Sequence, residues 1–244
     1  MNLHSSTRVS CLLLALATSM GTVAHAQCVD NTSRELRQDG AKIWTGFVEA
    51  PRNAIRLRNL KWELPIAAAT GILIATGDSP ASRLIQSHST LQRQADRWST
   101  IGLAVELGGA GLGYALGCGQ HRENMRSTAQ TALEAAGAAT VFDYALKKAT
   151  NRERPSVDNS SGEYWEGGTS FASGHAAASF AVASVIAHRY PHKRWLKWGA
   201  YGLAAAVSLG RYPAKQHFFS DIVIGGTLGY VTGTYLAGPR SGSR

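Results

Sequence analysis

The feature that most constrains the fold is a set of charge-free apolar runs rich in Gly and Ala. Leu64 to Gly77 is 14 residues long, Trp198 to Gly210 is 13, and Ile222 to Pro239 approaches 20. No stretch of useful length alternates apolar with polar residues, as a half-buried strand would. Runs of this length read as helices, and their small residues allow close helix packing. Further helical patterns cover Thr100 to Gly119, Thr128 to Ala149 and Phe171 to Ala187. The expectation is an all-α chain, a single helical bundle of about six or seven helices. Crossing a bilayer takes about 20 apolar residues. Most of these runs fall short, so the pattern leaves a buried bundle and a membrane bundle both open.

The first residues read as an export signal. Arg8 supplies positive charge, Cys11 to Met20 an apolar core, and Ala24-His25-Ala26 a small-x-small cleavage pattern. The expected divisions are a signal peptide over 1–26, an N-terminal arm with an amphipathic helix over 27–62, and a helical domain over 63–240. Within the arm, Thr32-Ser33-Arg34-Glu35 has the form of a capping box. Residues 52–61 carry Arg52, Arg56, Arg58 and Lys61, a solvated surface or a contact for anionic head groups. An exported chain can oxidise its thiols, and Cys28 and Cys118 are the two outside the signal, a candidate disulfide.

The formal charge is +9, which favours an anionic partner without naming it. Three clusters in the C-terminal half narrow the choice. Lys147-x6-Arg154-Pro155 ends one helix and opens a long Asn-, Ser- and Gly-rich loop over 151–170. Ser173-Gly174-His175 stands where that loop turns into a helix. Arg211-x5-His217-x3-Asp221 follows at a later turn. Lys and Arg can neutralise an anion, and backbone N–H groups at a helix N-terminus can cradle it. If a helix begins at His217, Asp221 lies on the same face and can hold one ring nitrogen, freeing the other as base or nucleophile. Singly, each cluster has a plain reading as a dipole complement, an N-cap or a helix-face pair.

Taken together and in order, the three clusters resemble the signature of the type 2 phosphatidic acid phosphatase and vanadium haloperoxidase superfamily. That signature is Lys-x6-Arg-Pro, Pro-Ser-Gly-His and Ser-Arg-x5-His-x3-Asp, and the resemblance covers residues 147 to about 237. Two positions depart: Ala172 stands for Pro and Gly210 for Ser. Neither supplies charge. The resemblance implies a helical bundle whose Lys147, Arg154, Ser173, Gly174 and Arg211 bind phosphate. It implies His217 as the nucleophile that forms a phosphohistidine, Asp221 as the residue that orients it, and His175 as the acid for the leaving group. No metal and no cofactor is implied, and no carboxylate cluster suited to magnesium is visible.

The expected function is an exported, metal-independent phosphatase acting on phosphate esters. A lipid phosphate or polyprenyl pyrophosphate is the favoured substrate, with membrane association; nucleic acid is not expected as a partner. A soluble, broad-range periplasmic acid phosphatase is the alternative, favoured by the mean hydropathy of −0.12. A vanadium haloperoxidase and a non-catalytic binder of anionic lipid stand behind both. Lys148, Arg152 and Lys215 read as surface charges, as do His188 and His192. Tyr164 and Trp165 read as loop aromatics beside the pocket or packed on the bundle.

Overall fold

The computed structural model describes residues 28, 30–41, 43–45, 65, 68–77, 89–157 and 161–238. All regular secondary structure among them is helical, in seven segments. A helical arm covers 30–41, and a short segment at 68–72 runs into a π-helical turn at Leu73–Gly77. Five long helices follow: α1 (Ser89–Gly119), α2 (Glu123–Thr150), α3 (Gly174–Arg189), α4 (Arg194–Gly210) and α5 (Phe219–Ala237). The export signal, the basic run 52–61 and the boundary between arm and domain lie outside the described residues.

The central element is α3, which contacts all four other long helices and packs most heavily on α5. Its small residues explain this. Ala176, Ala177, Ala178, Ala181 and Ala183 are buried on several sides of one helix. Glycines of α5 meet that helix backbone to backbone. A Cβ on Gly225, Gly229 or Gly233 would come within 2.4 Å, 2.1 Å and 2.4 Å of the carbonyls of Ser173, Ala177 and Ala181. The spacing of four residues puts the three glycines on one ridge. The ridge brings the start of α5 against the start of α3, where two of the three motifs lie. Larger side chains close the core: Phe218, Leu236 and Val185 are fully buried, worth roughly 1.5–3 kcal/mol each.

The arm is tied to the far end of the bundle. Cys28 and Cys118 form a disulfide with Cα atoms 5.8 Å apart. Buried Arg126 of α2 donates to Glu35 and Thr32 of the arm at 2.9 and 3.1 Å. Thr32 does not cap this helix. Residues 28 and 30 are already helical, and the Thr32 hydroxyl donates to the Cys28 carbonyl at 2.7 Å, one turn back. The capping pattern fits both arrangements, because Ser and Thr side chains also bond within a helix to the preceding turn.

Helix α1 starts eleven residues before the expected Thr100. Among the described residues it is the one helix long and apolar enough to cross a membrane, by length and composition, and only 6% of its apolar window is buried. Trp98, Val105 and Leu112 of α1 and Trp195, Trp198 and Leu209 of α4 are exposed. The expectation that Ile222 to Pro239 comes nearest to a span is corrected: residues 222–237 belong to α5, whose ridge is buried against α3, and that helix does not meet the combined length and hydropathy that α1 does.

Candidate active site

Three chain segments converge at one end of the bundle: the C-terminus of α2 with its following loop, the N-terminus of α3, and the turn between α4 and α5. Helix α2 ends at Asn151, which takes the left-handed conformation that Asn tolerates (φ 43°) and returns its N–H to Lys147 O. Lys147 therefore sits in the last turn, facing the start of α3. Its ammonium donates to Asp143, one turn earlier, and to the Ala172 carbonyl. An ammonium has three N–H donors, so among the described residues one is left over. Burial pushes the Lys147 ammonium down against the support of Asp143; burial pushes the Asp143 carboxyl up.

Ser173 is the N-cap of α3 and is fully buried, its hydroxyl facing the N–H of Ala176 at 3.5 Å. Gly174 opens the helix beside Lys147 and Asp143. A Cβ there would lie 2.9 Å from the Asp143 carboxylate, so a larger residue would push that carboxylate aside. His175 follows, with Nε2 buried and without a hydrogen-bond partner among the described residues. Burial first, then the charges of Arg211 and His217, push its pKa down to about 4. The ring is neutral at pH 7.

Both arginines are braced and keep a free donor. Arg211 donates to Asp96 at 2.6 Å and to Ser99 at 3.1 Å, both on α1. Arg154 donates to Gln216. The Nε atoms of both are buried without a partner among the described residues. The charges of Lys147, Arg154, Arg211, His175 and His217 act on one another throughout this cluster. The geometry is a half-buried cluster of three cations, a helix N-terminus and, among the described residues, unsatisfied N–H groups. Such a cluster has the donors and charge that a tetrahedral anion requires.

His217 is buried, and burial pushes its pKa down, so its ring is also neutral. Its Nδ1 lies 2.7 Å from the Ser170 carbonyl. A carbonyl can only accept, so Nδ1 carries the proton and Nε2 keeps its lone pair. The sequence pattern gave this holding role to Asp221. The Asp221 carboxylate is 3.8 Å from Nδ1, too far for a direct hydrogen bond. The reason is local: α5 begins at Phe219, so His217 precedes the first turn and the i, i+4 geometry is not reached. Asp221 instead accepts from Ser170 Oγ at 2.5 Å, the Phe218 N–H at 2.9 Å and Arg152 at 2.6 Å.

Arg152 is therefore corrected from a surface charge to a fully buried one. Lys148, His188 and His192 are exposed, and Lys215 is half-buried. Trp165 is exposed, while Tyr164 packs on Arg152 and Phe171. Of the bracing residues, Asp143 stands four before Lys147 and Gln216 lies inside the third motif, so spacing could have flagged both. Asp96 and Ser99 lie more than 110 residues before Arg211 and carried no signal. The hydroxyl missing at Gly210 is answered here: Ser99 brings one to Arg211 from α1, and a Cβ on Gly210 would stand 3.1 Å from the Ser99 Cβ. Among the described residues, no group of three or more His, Cys, Asp or Glu is placed to hold a metal ion.

A family model described as the PAP2 superfamily matches residues 129–238. That span contains every residue of the cluster described above except its α1 braces, Asp96 and Ser99. No curated protein and no solved structure matches the chain significantly.

Proposed function

We propose, from the match of residues 129–238 to the PAP2 superfamily, that this chain is an exported phosphatase acting through a phosphohistidine on His217. The family supports phosphoester chemistry. The observation that carries the finer reading is the pair of neutral histidines beside three braced cations with unspent N–H donors. A transferring phosphoryl group spreads negative charge over its equatorial oxygens. Lys147, Arg154, Arg211 and the Gly174 N–H would take those oxygens. Fixed cations can neutralise this charge without a metal.

His217 Nε2 would attack phosphorus as the ester P–O bond breaks, and the leaving oxygen would take a proton from His175. Water would then attack the phosphohistidine, break the P–N bond and return a proton to His175. In the free protein His175 is neutral, because burial and Arg211 hold it down. A bound phosphate adds the opposite charge and raises its pKa toward the working range of an acid. Asp221 would support the imidazolium character that develops on His217.

The favoured substrate is a lipid phosphate or polyprenyl pyrophosphate at the cell envelope. The exposed apolar residues of α1 and α4 support it, since they suit a membrane-associated protein. The test is phosphate release from soluble esters and lipid phosphates, with EDTA present, for wild type and His217→Ala. EDTA-resistant release that the variant loses is the expected result, with lipid phosphates preferred. Preference for soluble esters would move the assignment to a broad-range acid phosphatase. Release that persists in His217→Ala would overturn the phosphohistidine.

A further inference from the structure

We propose that Arg152 is a positioning residue for His217, acting through Asp221 and Ser170; this rests on His217 being the nucleophile. Arg152 is two residues from Arg154 but is spent differently. Its side chain is fully buried. Nε donates to the Gly162 carbonyl at 3.1 Å, and Nη1 to Ser220 Oγ at 2.8 Å and Asp221 Oδ1 at 2.6 Å. Its own carbonyl accepts the Ser170 N–H at 2.9 Å. Ser170 is thus gripped twice by Arg152: directly through the backbone, and through Asp221, which accepts the Ser170 hydroxyl. Ser170 in turn fixes the His217 tautomer.

The loop is built around this arginine. Its guanidinium lies 4.3 Å from the Phe218 ring centre and 5.0 Å from that of Tyr164. Gly162 has φ +83°, and a Cβ there would stand 2.6 Å from Phe218 and 2.9 Å from Arg152 Nη2. A Cβ on Gly168 would meet the Arg152 carbonyl at 2.1 Å. A charge this deeply enclosed is costly unless it is paired. Its partner is the carboxylate beside the nucleophile.

Asp221 is also faced by His217 from the α4–α5 turn, and by Lys147 and Asp143 from α2. Burial alone would raise its carboxyl; the His217 ring, the Arg152 charge and the Ser170 hydroxyl outweigh burial and hold it below the usual range. Removing Arg152 removes one lowering influence. Asp221 would then take a proton at a higher pH, and its support of Ser170 and His217 would fail at that pH. The acid limb of the kcat profile should move upward.

The experiment measures kcat and KM against pH with p-nitrophenyl phosphate for wild type, Arg152→Met, Arg152→Lys, Asp221→Asn and the Arg152→Met/Asp221→Asn double variant. Arg152→Met should lower kcat about 100-fold, as a small misplacement of a reacting group does, with KM little changed and the acid limb at higher pH. Arg152→Lys should bring the limb back toward wild type. The double variant should be no slower than Asp221→Asn alone, because the two act as one unit. An unmoved limb, or effects that multiply in the double variant, would overturn the proposal and leave Arg152 as packing. If Arg152→Met does not fold, Arg152→Gln keeps hydrogen bonds without charge, and its limb decides instead. A His217→Ala control that retains turnover overturns the phosphohistidine reading and this proposal with it. A dead control beside an unmoved Arg152 limb overturns this proposal alone.

Discussion

Arg126 and Arg211 are both buried arginines of one bundle, and they are spent in opposite ways. Arg126, at the arm end, donates to Glu35, Glu123, Gln130 and Thr32, and all three of its nitrogens are engaged. Its pKa is raised, first by the Glu123 hydrogen bond. Arg211, at the motif end, is braced by Asp96 and Ser99 and keeps a buried Nε with no partner among the described residues. Its pKa is lowered by burial. A saturated arginine holds a fold together; an under-satisfied one among other cations waits for an anion. Burial alone does not separate the two roles, whereas donor accounting does.

The largest effect should come from breaking the saturated site. Arg126→Met should destabilise the protein by about 3–5 kcal/mol, since it removes charge-assisted hydrogen bonds to buried Gln130 and half-buried Glu35, each worth about 1.5–3 kcal/mol. Turnover per folded molecule should hold, and denaturant melts paired with active-site titration check both. The under-satisfied site should respond the other way. Arg211→Ala should lower kcat/KM about 10²- to 10³-fold, equivalent to about 2.7–4 kcal/mol, by removing a preorganised donor. Thermal melts beside steady-state kinetics would show whether its stability changes less than that of Arg126→Met.

Ligand linkage sharpens the contrast. Inorganic phosphate at 100 times its Kd should stabilise wild type by about 2.7 kcal/mol. The gain should persist in an Arg126 variant that still folds and vanish in Arg211→Ala; thermal shift against phosphate concentration reads this. A pH dependence bears on the same under-satisfied site. The His175 pKa is about 4 when folded and ordinary, near 6.5, when unfolded. Between those values the unfolded chain binds protons that the folded chain does not, so stability falls as pH drops from about 6.5 to 4. His175→Gln should lose that share, seen as the difference between the two melting profiles. Phosphate should shrink it in wild type by raising the folded pKa.

The helical architecture was legible because small apolar runs without alternation admit few other folds. The motif residues were legible because each spacing is short and sits at a helix end. The errors share a cause. Thr32 matched a cap pattern yet lies inside its helix, and Asp221 matched an i, i+4 partner of His217 yet α5 starts after that histidine. In both, a local pattern was compatible with two helix starts, and packing chose between them.

The sequence by itself determined the element types and the presence of three clusters of Lys, Arg, Ser and His at helix ends, because these depend on side-chain size, charge and short spacing. Only the tertiary structure decided which cations are free. Asp96 and Ser99 reach Arg211 across more than 110 residues, and the loop folds Arg152 inward while Arg154, two residues on, keeps an Nε with no partner among the described residues. Hydrogen-bond saturation depends on what arrives from distant chain segments, so it exists only once the helices have packed.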